Sequence, residues 1–359
     1  MSPPRLVSLD ALRGFDMFWI LGGDYLVRSF PKIHDNKVTR ALAAQMDHCE
    51  WAGFHFYDLI FPLFVFIVGV SAVFSLRRTI EKNGRASAIK RIAIRSVVLF
   101  LLGIVYMGGV SEGFKNVYLA GVLHRIAVAY FFTGLIFCFC RLPTMFLICS
   151  GLLLGYWALM TFVPVPGIGT PTLDVPGKNL AHYLDQLYLP GKKFEGTLLS
   201  TMAAVANCLL GVFAGFLVKA ENISKQKKVY WLLGSGLLGL ALGLLWGRQF
   251  PITKLLWTSS YVLVACGCGL ILLAAFYQVI EVWDHRAWAV PFIWIGMNPI
   301  TLYLVAGVIN FHRLSMRFVG GDVRNCLGRF GDLGAAIVTI GLVLWLANFL
   351  YRRKIFLRL

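Results

Sequence analysis

Charge is scarce in this sequence, and acid is scarcer than base. Only 14% of the 359 residues are Asp, Glu, Lys or Arg, against about 25% in a soluble domain. The solvated surface of a globular enzyme is therefore missing. No Cys/His spacing resembles a zinc site, and no metal is expected. No cleavable signal peptide is apparent, because the first apolar segment carries Asp10 and Arg13. No internal repeat is visible, which weakens an inverted-repeat transporter reading. The one Asn-x-Ser/Thr site, Asn222-Ile223-Ser224, falls in a basic loop, so glycosylation gives no sign of a secretory lumen.

Long apolar runs are what the chain does have. Thr144–Val163, Thr197–Val218, Val229–Trp246, Leu255–Ile280, Trp288–Asn310 and Leu333–Tyr351 contain no charged residue. Runs of this length read as membrane helices, since about 20 residues at ~1.5 Å rise cross a ~30 Å hydrocarbon core. Leu9–Leu26, Phe56–Leu76 and Tyr118–Cys140, which carry charge, and the shorter Ser96–Ser111 are four further candidates. The expectation is an all-α, polytopic bundle of about ten transmembrane helices, forming one domain over residues 1–359. Open sheet edges cannot face lipid, so strands are not expected.

The net charge of +17 does not point to nucleic acid. Its Lys and Arg cluster in short connections: Arg77 to Arg95, Lys219 to Lys228, and Arg352 to Arg358. With ten spans these clusters share a side with the N-terminus, and the positive-inside rule makes that side, and both termini, cytoplasmic. Membrane lipid is the expected contact for most of this charge. Of eight cysteines, only Cys49 and Cys326 fall in outer loops, where a bridge is left open. The segment Asn179–Leu189, within the outer stretch 164–196, reads as a short amphipathic surface helix.

Several polar residues sit where lipid should be. Asp10 and Arg13, three apart, neighbour each other on one helix face. Asp24 follows fourteen residues after Asp10, about 21 Å along a straight helix. His124 and Arg125 interrupt an apolar run, and a buried Arg needs a partner or a cavity; Asp10, Asp16 or Asp58 could serve. Asn298-Pro299 should kink its helix in mid-span. At the outer mouth of the second span stand Asp47, His48, Glu50, His55 and Asp58. A histidine among carboxylates can act as a general base. Judged on spacing alone, the simpler account is a solvated loop histidine, with Asp58 capping its helix.

The stretches "SLDALRG", "YDLIFPLFVFIVGVS", "GVLHRIAVAYF" and "GMNPITLY" resemble, in order, motifs of the heparan-α-glucosaminide N-acetyltransferase family. The resemblance runs from about residue 5 to 310. It implies a membrane enzyme that takes acetyl from cytoplasmic acetyl-CoA and passes it to the amine of a glucosamine-type sugar on the far side. The family's essential histidine, ten residues before the aspartate of the "DLxFP" motif, corresponds to His48. It would be a general base or a transient acetyl carrier. Where the family has a functional asparagine, this chain has Asp24, a departure that puts acceptor recognition in doubt. On this reading His48, Asp24 and Asp58 are catalytic, and Asp10, Arg13, His124, Arg125 and Asn298 hold the acyl donor. A bacterial inner membrane is the expected location, with His48 on the extracytoplasmic side and a homodimer compatible with the pattern. The alternatives are a sugar or ion transporter and an O-acetyltransferase of envelope polysaccharide.

Overall fold

The computed structural model describes residues 6–109, 111, 113–191 and 197–356. Glu112, residues 192–196 of the second outer segment, and Arg358 lie outside them. Among the described residues there is no strand, only an isolated bridge between Val165 and Gly169, so the all-α class holds. The helices run α1 (Val7–Phe18), α2 (Asp24–Arg28), α3 (Phe30–Ile33), α4 (Lys37–Ala44) and α5 (Phe56–Tyr106). Next come α6 (Val122–Phe139), α7 (Leu142–Phe162), α8 (Leu180–Tyr188), α9 (Thr197–Lys219), α10 (Lys225–Trp246) and α11 (Ser259–Tyr277). The last are α12 (Val290–Met297), α13 (Pro299–Ile309), α14 (Phe311–Val319), α15 (Asp322–Leu327) and α16 (Gly331–Arg352).

Among the described residues seven helices are long and apolar enough to cross a membrane, or eight if the bent pair α12–α13 counts as one span. The chain is a multi-pass membrane protein. The expected ten spans differ from this at three places, each with a local cause. First, the runs Phe56–Leu76 and Ser96–Ser111 lie on one 51-residue helix, α5. Unbroken, it would be about 77 Å long, more than twice a ~30 Å core. Gly84, at φ 77°, interrupts it, a backbone geometry that glycine adopts without penalty. Second, the run Leu9–Leu26 is not one straight helix. A π turn over Trp19–Gly23 separates α1 from α2, with Gly22 at φ 138°. Third, Asn298-Pro299 does more than kink a helix: α12 and α13 diverge by 71°. Pro299 becomes the first residue of a new helix, where its missing N–H costs nothing.

The described residues pack as two units: 6–48, 55–60 and 272–356 form the first, and 49–54 and 61–271 the second. In the first, α1 crosses α12 with no side chain between them. A Cβ on Gly14 would lie 1.7 Å from the Phe292 carbonyl oxygen, and one on Gly296 would lie 1.8 Å from that of Asp10. Such close approach is how small residues drive helix association in lipid. Phe292 meets Phe15 and Phe18 while Gly296 meets Asp10, so the two helices run in opposite senses. The Glu281 carboxylate accepts from the Ser8 backbone N–H at 3.1 Å, satisfying an orphan donor at the start of α1. In the second unit, Val73, Met145 and Val212 form a buried cluster joining α5, α7 and α9. The Asn207 amide donates to the Pro62 carbonyl at 3.0 Å. Among the described residues there is no disulfide, so Cys49 and Cys326 form no bridge.

Candidate active site

The loop after α4 returns to the start of α5 through backbone and side-chain bonds. The Gln45 carbonyl accepts from the Tyr57 N–H at 3.0 Å, and its side-chain oxygen accepts from the Phe56 N–H at 3.0 Å. These bonds fix the chain on either side of His48. Asp58 stands at the third position of α5. Its Oδ2 accepts from the backbone N–H of His55 at 3.1 Å, which satisfies one of the helix's unpaired donors. Its Oδ1 meets Nδ1 of His48 at 2.8 Å. The two roles that spacing left as alternatives, a cap and a histidine partner, are thus held by the two oxygens of one carboxylate.

The burial of this pair is unequal. The Asp58 side chain is 0% exposed and that of His48 is 51% exposed. A buried carboxylate is tolerable here because it accepts hydrogen bonds and lies at the positive end of a helix dipole. With Asp58 ionised, His48 Nδ1 carries the proton and donates it, which leaves the lone pair on Nε2. The ring is further bounded by Tyr57, at 5.0 Å between centroids. His55 does not join the pair through its ring: its Nδ1 lies 3.0 Å from the Asp47 carbonyl oxygen.

Asp24 opens α2 and is buried, at 8% exposure. Its carboxylate pairs with Arg28 one turn on, at 3.5 Å. Arg28 reaches onward to the Asp47 carboxylate and the Met46 carbonyl. The guanidinium therefore ties Asp24 to the two residues that precede His48. Arg28 is a site residue that reading the sequence missed, because nothing local in "DYLVR" shows what it will clasp.

The remaining candidates divide between the units. In the first, Arg13 donates to Asp10 and to the Gly296 carbonyl, both at 3.2 Å. Asn298, two residues beyond, is 2% exposed, and neither its Oδ1 nor its Nδ2 has a hydrogen-bond partner among the described residues. Asp16 is fully buried, with neither oxygen partnered among the described residues. In the second unit, both ring nitrogens of His124 are buried and have no hydrogen-bond partner among the described residues, and the ring lies edge-on to Phe100 at 4.6 Å. The Arg125 guanidinium lies 4.5 Å over the ring of Trp257.

Residues 5–181 match the family model of the heparan-alpha-glucosaminide N-acetyltransferase catalytic region. Over that stretch, just under half of its length, the chain is similar to this family. The human heparan-alpha-glucosaminide N-acetyltransferase is 25% identical over 428 aligned residues, covering 99% of this chain and 60% of the human protein. The mouse protein is 26% identical, covering 86% of this chain and 56% of its own length. The chain thus spans somewhat more than half the length of these curated heparan-alpha-glucosaminide N-acetyltransferases. The family match includes Asp10, Arg13, Asp24, His48, Asp58, His124 and Arg125; Asn298 lies beyond it.

Proposed function

We propose that this chain transfers acetyl from acetyl-CoA to the amine of a glucosamine-type sugar, with His48 as general base. The observation that carries the proposal is the His48–Asp58 pair, in which a buried carboxylate holds Nδ1 at 2.8 Å. An amine nucleophile must lose a proton as it attacks, and an oriented imidazole accepts it. The amine nitrogen attacks the thioester carbonyl, a C–N bond forms and the C–S bond breaks. The amine proton passes to Nε2 and then to the departing thiolate, which leaves as free CoA, and the imidazole returns neutral. Asp58 stabilises the imidazolium between these steps.

Asp24 contributes through Arg28 and Asp47 by holding the approach to His48. Asn298, buried with an unpaired amide, suits the amide groups of a pantetheine arm. Arg13, with Asp10 fixing its guanidinium, suits a phosphate at the donor's other end. The basic connection between Arg77 and Arg95 supports a cytoplasmic donor side, which puts His48 on the extracytoplasmic face of an inner membrane.

The test is acetyl transfer by the purified protein in proteoliposomes, given labelled acetyl-CoA and glucosamine or short glucosaminyl saccharides. An N-linked acetyl product supports the proposal. O-linked product supports envelope O-acetylation instead, and sugar uptake without acetyl-CoA dependence supports a transporter.

A further inference from the structure

Asp16 is a buried acid that the proposed acetyl transfer does not use. It lies within α1, fully buried, and neither of its oxygens has a hydrogen-bond partner among the described residues. No charged group among them acts on it. On α1 itself, Arg13 is turned to Asp10 and to the Gly296 carbonyl. The helices α12 and α13, which pack against α1, contain no charged residue. The segment Gln278–Val282 also packs there, and its one acid, Glu281, is bonded to the Ser8 N–H. Ionisable groups so placed in a membrane helix are rare, and those that occur mark ion paths or proton relays.

Other shielded polar atoms accompany it. Ser8, Leu12, Asp16 and Trp19 follow each other at three or four residues and so share one face of α1. Ser8 Oγ and Trp19 Nε1, like the Asp16 oxygens, have no hydrogen-bond partner among the described residues. The same holds for Gln278 Oε1, for Oδ1 and Nδ2 of Asn298, and for Thr301 Oγ1. All of these lie on α1 or on segments packed against it within the same unit. Buried polar groups that the chain leaves unpaired are satisfied by ordered water. Two of the atoms, Trp19 Nε1 and Asn298 Nδ2, are donors, which suits water and not a bare cation. From Ser8 to Trp19 the row covers about 16 Å, roughly half of a ~30 Å hydrocarbon core. A carboxyl in such a row can pass a proton onward. Its O–H bond breaks toward a water on one side, its other oxygen takes a proton from a water on the other side, and the group is returned unchanged.

We propose that Asp16 carries protons along α1, from the outer side of the membrane toward the cytoplasmic side. This is an activity beyond acyl transfer, and its use rests on the acetyl-transfer reading. Near neutral pH the amine of an amino sugar is largely an ammonium. It must lose one proton before its nitrogen can attack. The transfer itself, from neutral amine and thioester to amide and free thiol, neither takes up nor releases a proton. One proton for each acetyl is therefore left on the acceptor side. An inside-negative membrane potential draws it inward, and Asp16 gives it a route.

The experiment uses the purified full chain in proteoliposomes with a pH dye trapped inside. A potassium diffusion potential, negative inside, is imposed without substrate. Proton uptake with wild type should exceed that with Asp16→Asn, and that of empty vesicles, by about tenfold or more. Trp19→Phe, which keeps a ring and removes the N–H, should fall between them. Retained acetyl-CoA binding shows that Asp16→Asn is folded. With glucosamine inside and acetyl-CoA outside, wild type should discharge the left-over proton to the outer medium, whereas Asp16→Asn should acidify the lumen. Uptake with wild type no faster than in empty vesicles overturns the proposal whether or not the variants fold. So does uptake that Asp16→Asn leaves unchanged, or a current that follows sodium with no change in pH. Wild type that conducts protons but transfers no acetyl contradicts the acetyl-transfer reading and leaves the proton path standing.

Discussion

Asp58→Asn separates the two functions of one carboxylate. The amide can place its oxygen toward only one of the two partners that Asp58 holds. The His55 backbone N–H can only donate, so the oxygen must stay with it and the NH2 must face His48. That NH2 donates to Nδ1, which forces the imidazole proton onto Nε2, the atom that has to accept the proton of the amine. The helix cap survives while the base is disarmed. The rate of acetyl transfer should fall roughly 10²- to 10⁴-fold, the usual worth of a positioned general base, with acetyl-CoA binding unchanged. Asp58→Ala should lose as much rate and also cost about 2–4 kcal/mol of stability, from the lost cap and the unpaired N–H at His55. Transfer kinetics, thermal unfolding and ¹⁵N-histidine NMR of the His48 tautomer read these outcomes separately. Asp58→Asn within about threefold of wild type, or His48 protonated on Nε2 in the wild type, would refute the reasoning.

Two other outcomes follow from the first unit. Gly296→Ala should lower stability by about 3 kcal/mol or more, because backbone cannot rearrange as a side chain can. Its Cβ would sit 1.8 Å from the Asp10 carbonyl oxygen, where ordinary contact begins near 3.4 Å, so α1 and α12 would have to part by about 1.6 Å; an unchanged thermal midpoint would show that this crossing is not close. The second outcome concerns pH. His312 stacks on Tyr25 with centroids 4.0 Å apart, and its Nδ1 has no hydrogen-bond partner among the described residues. Burial lowers its pKa below the usual histidine value, and Arg324 lowers it further while Asp332 opposes the shift. Above about pH 6.5 the group is neutral folded or unfolded and has no effect. As pH falls below that value the unfolded chain takes up a proton that the folded chain resists, so stability declines. His312→Phe should remove this part of the decline between pH 7 and pH 5, as read by thermal unfolding; an identical decline in the variant would contradict it.

The membrane class was legible because lipid leaves a coarse mark: charge-free runs of helix length. The breaks were less so. Gly84 and Gly22 act through single backbone angles that composition does not display, and the Gly14–Gly296 crossing joins residues far apart in sequence. At the site, spacing alone favoured a solvated His48 with Asp58 as a helix cap, and only the family resemblance singled out both residues; the structure brings the two together. That Asp58 would also bond the His55 N–H, or that Arg28 would clasp Asp47, depends on how a long loop folds back.

The most direct measurement is acetyl transfer by His48→Ala in proteoliposomes, with and without added imidazole. The account predicts a loss of roughly 10²-fold or more, intact acetyl-CoA binding, and partial return of activity when imidazole fills the vacated place. A His48→Ala protein that acetylates glucosamine at the wild-type rate would contradict it.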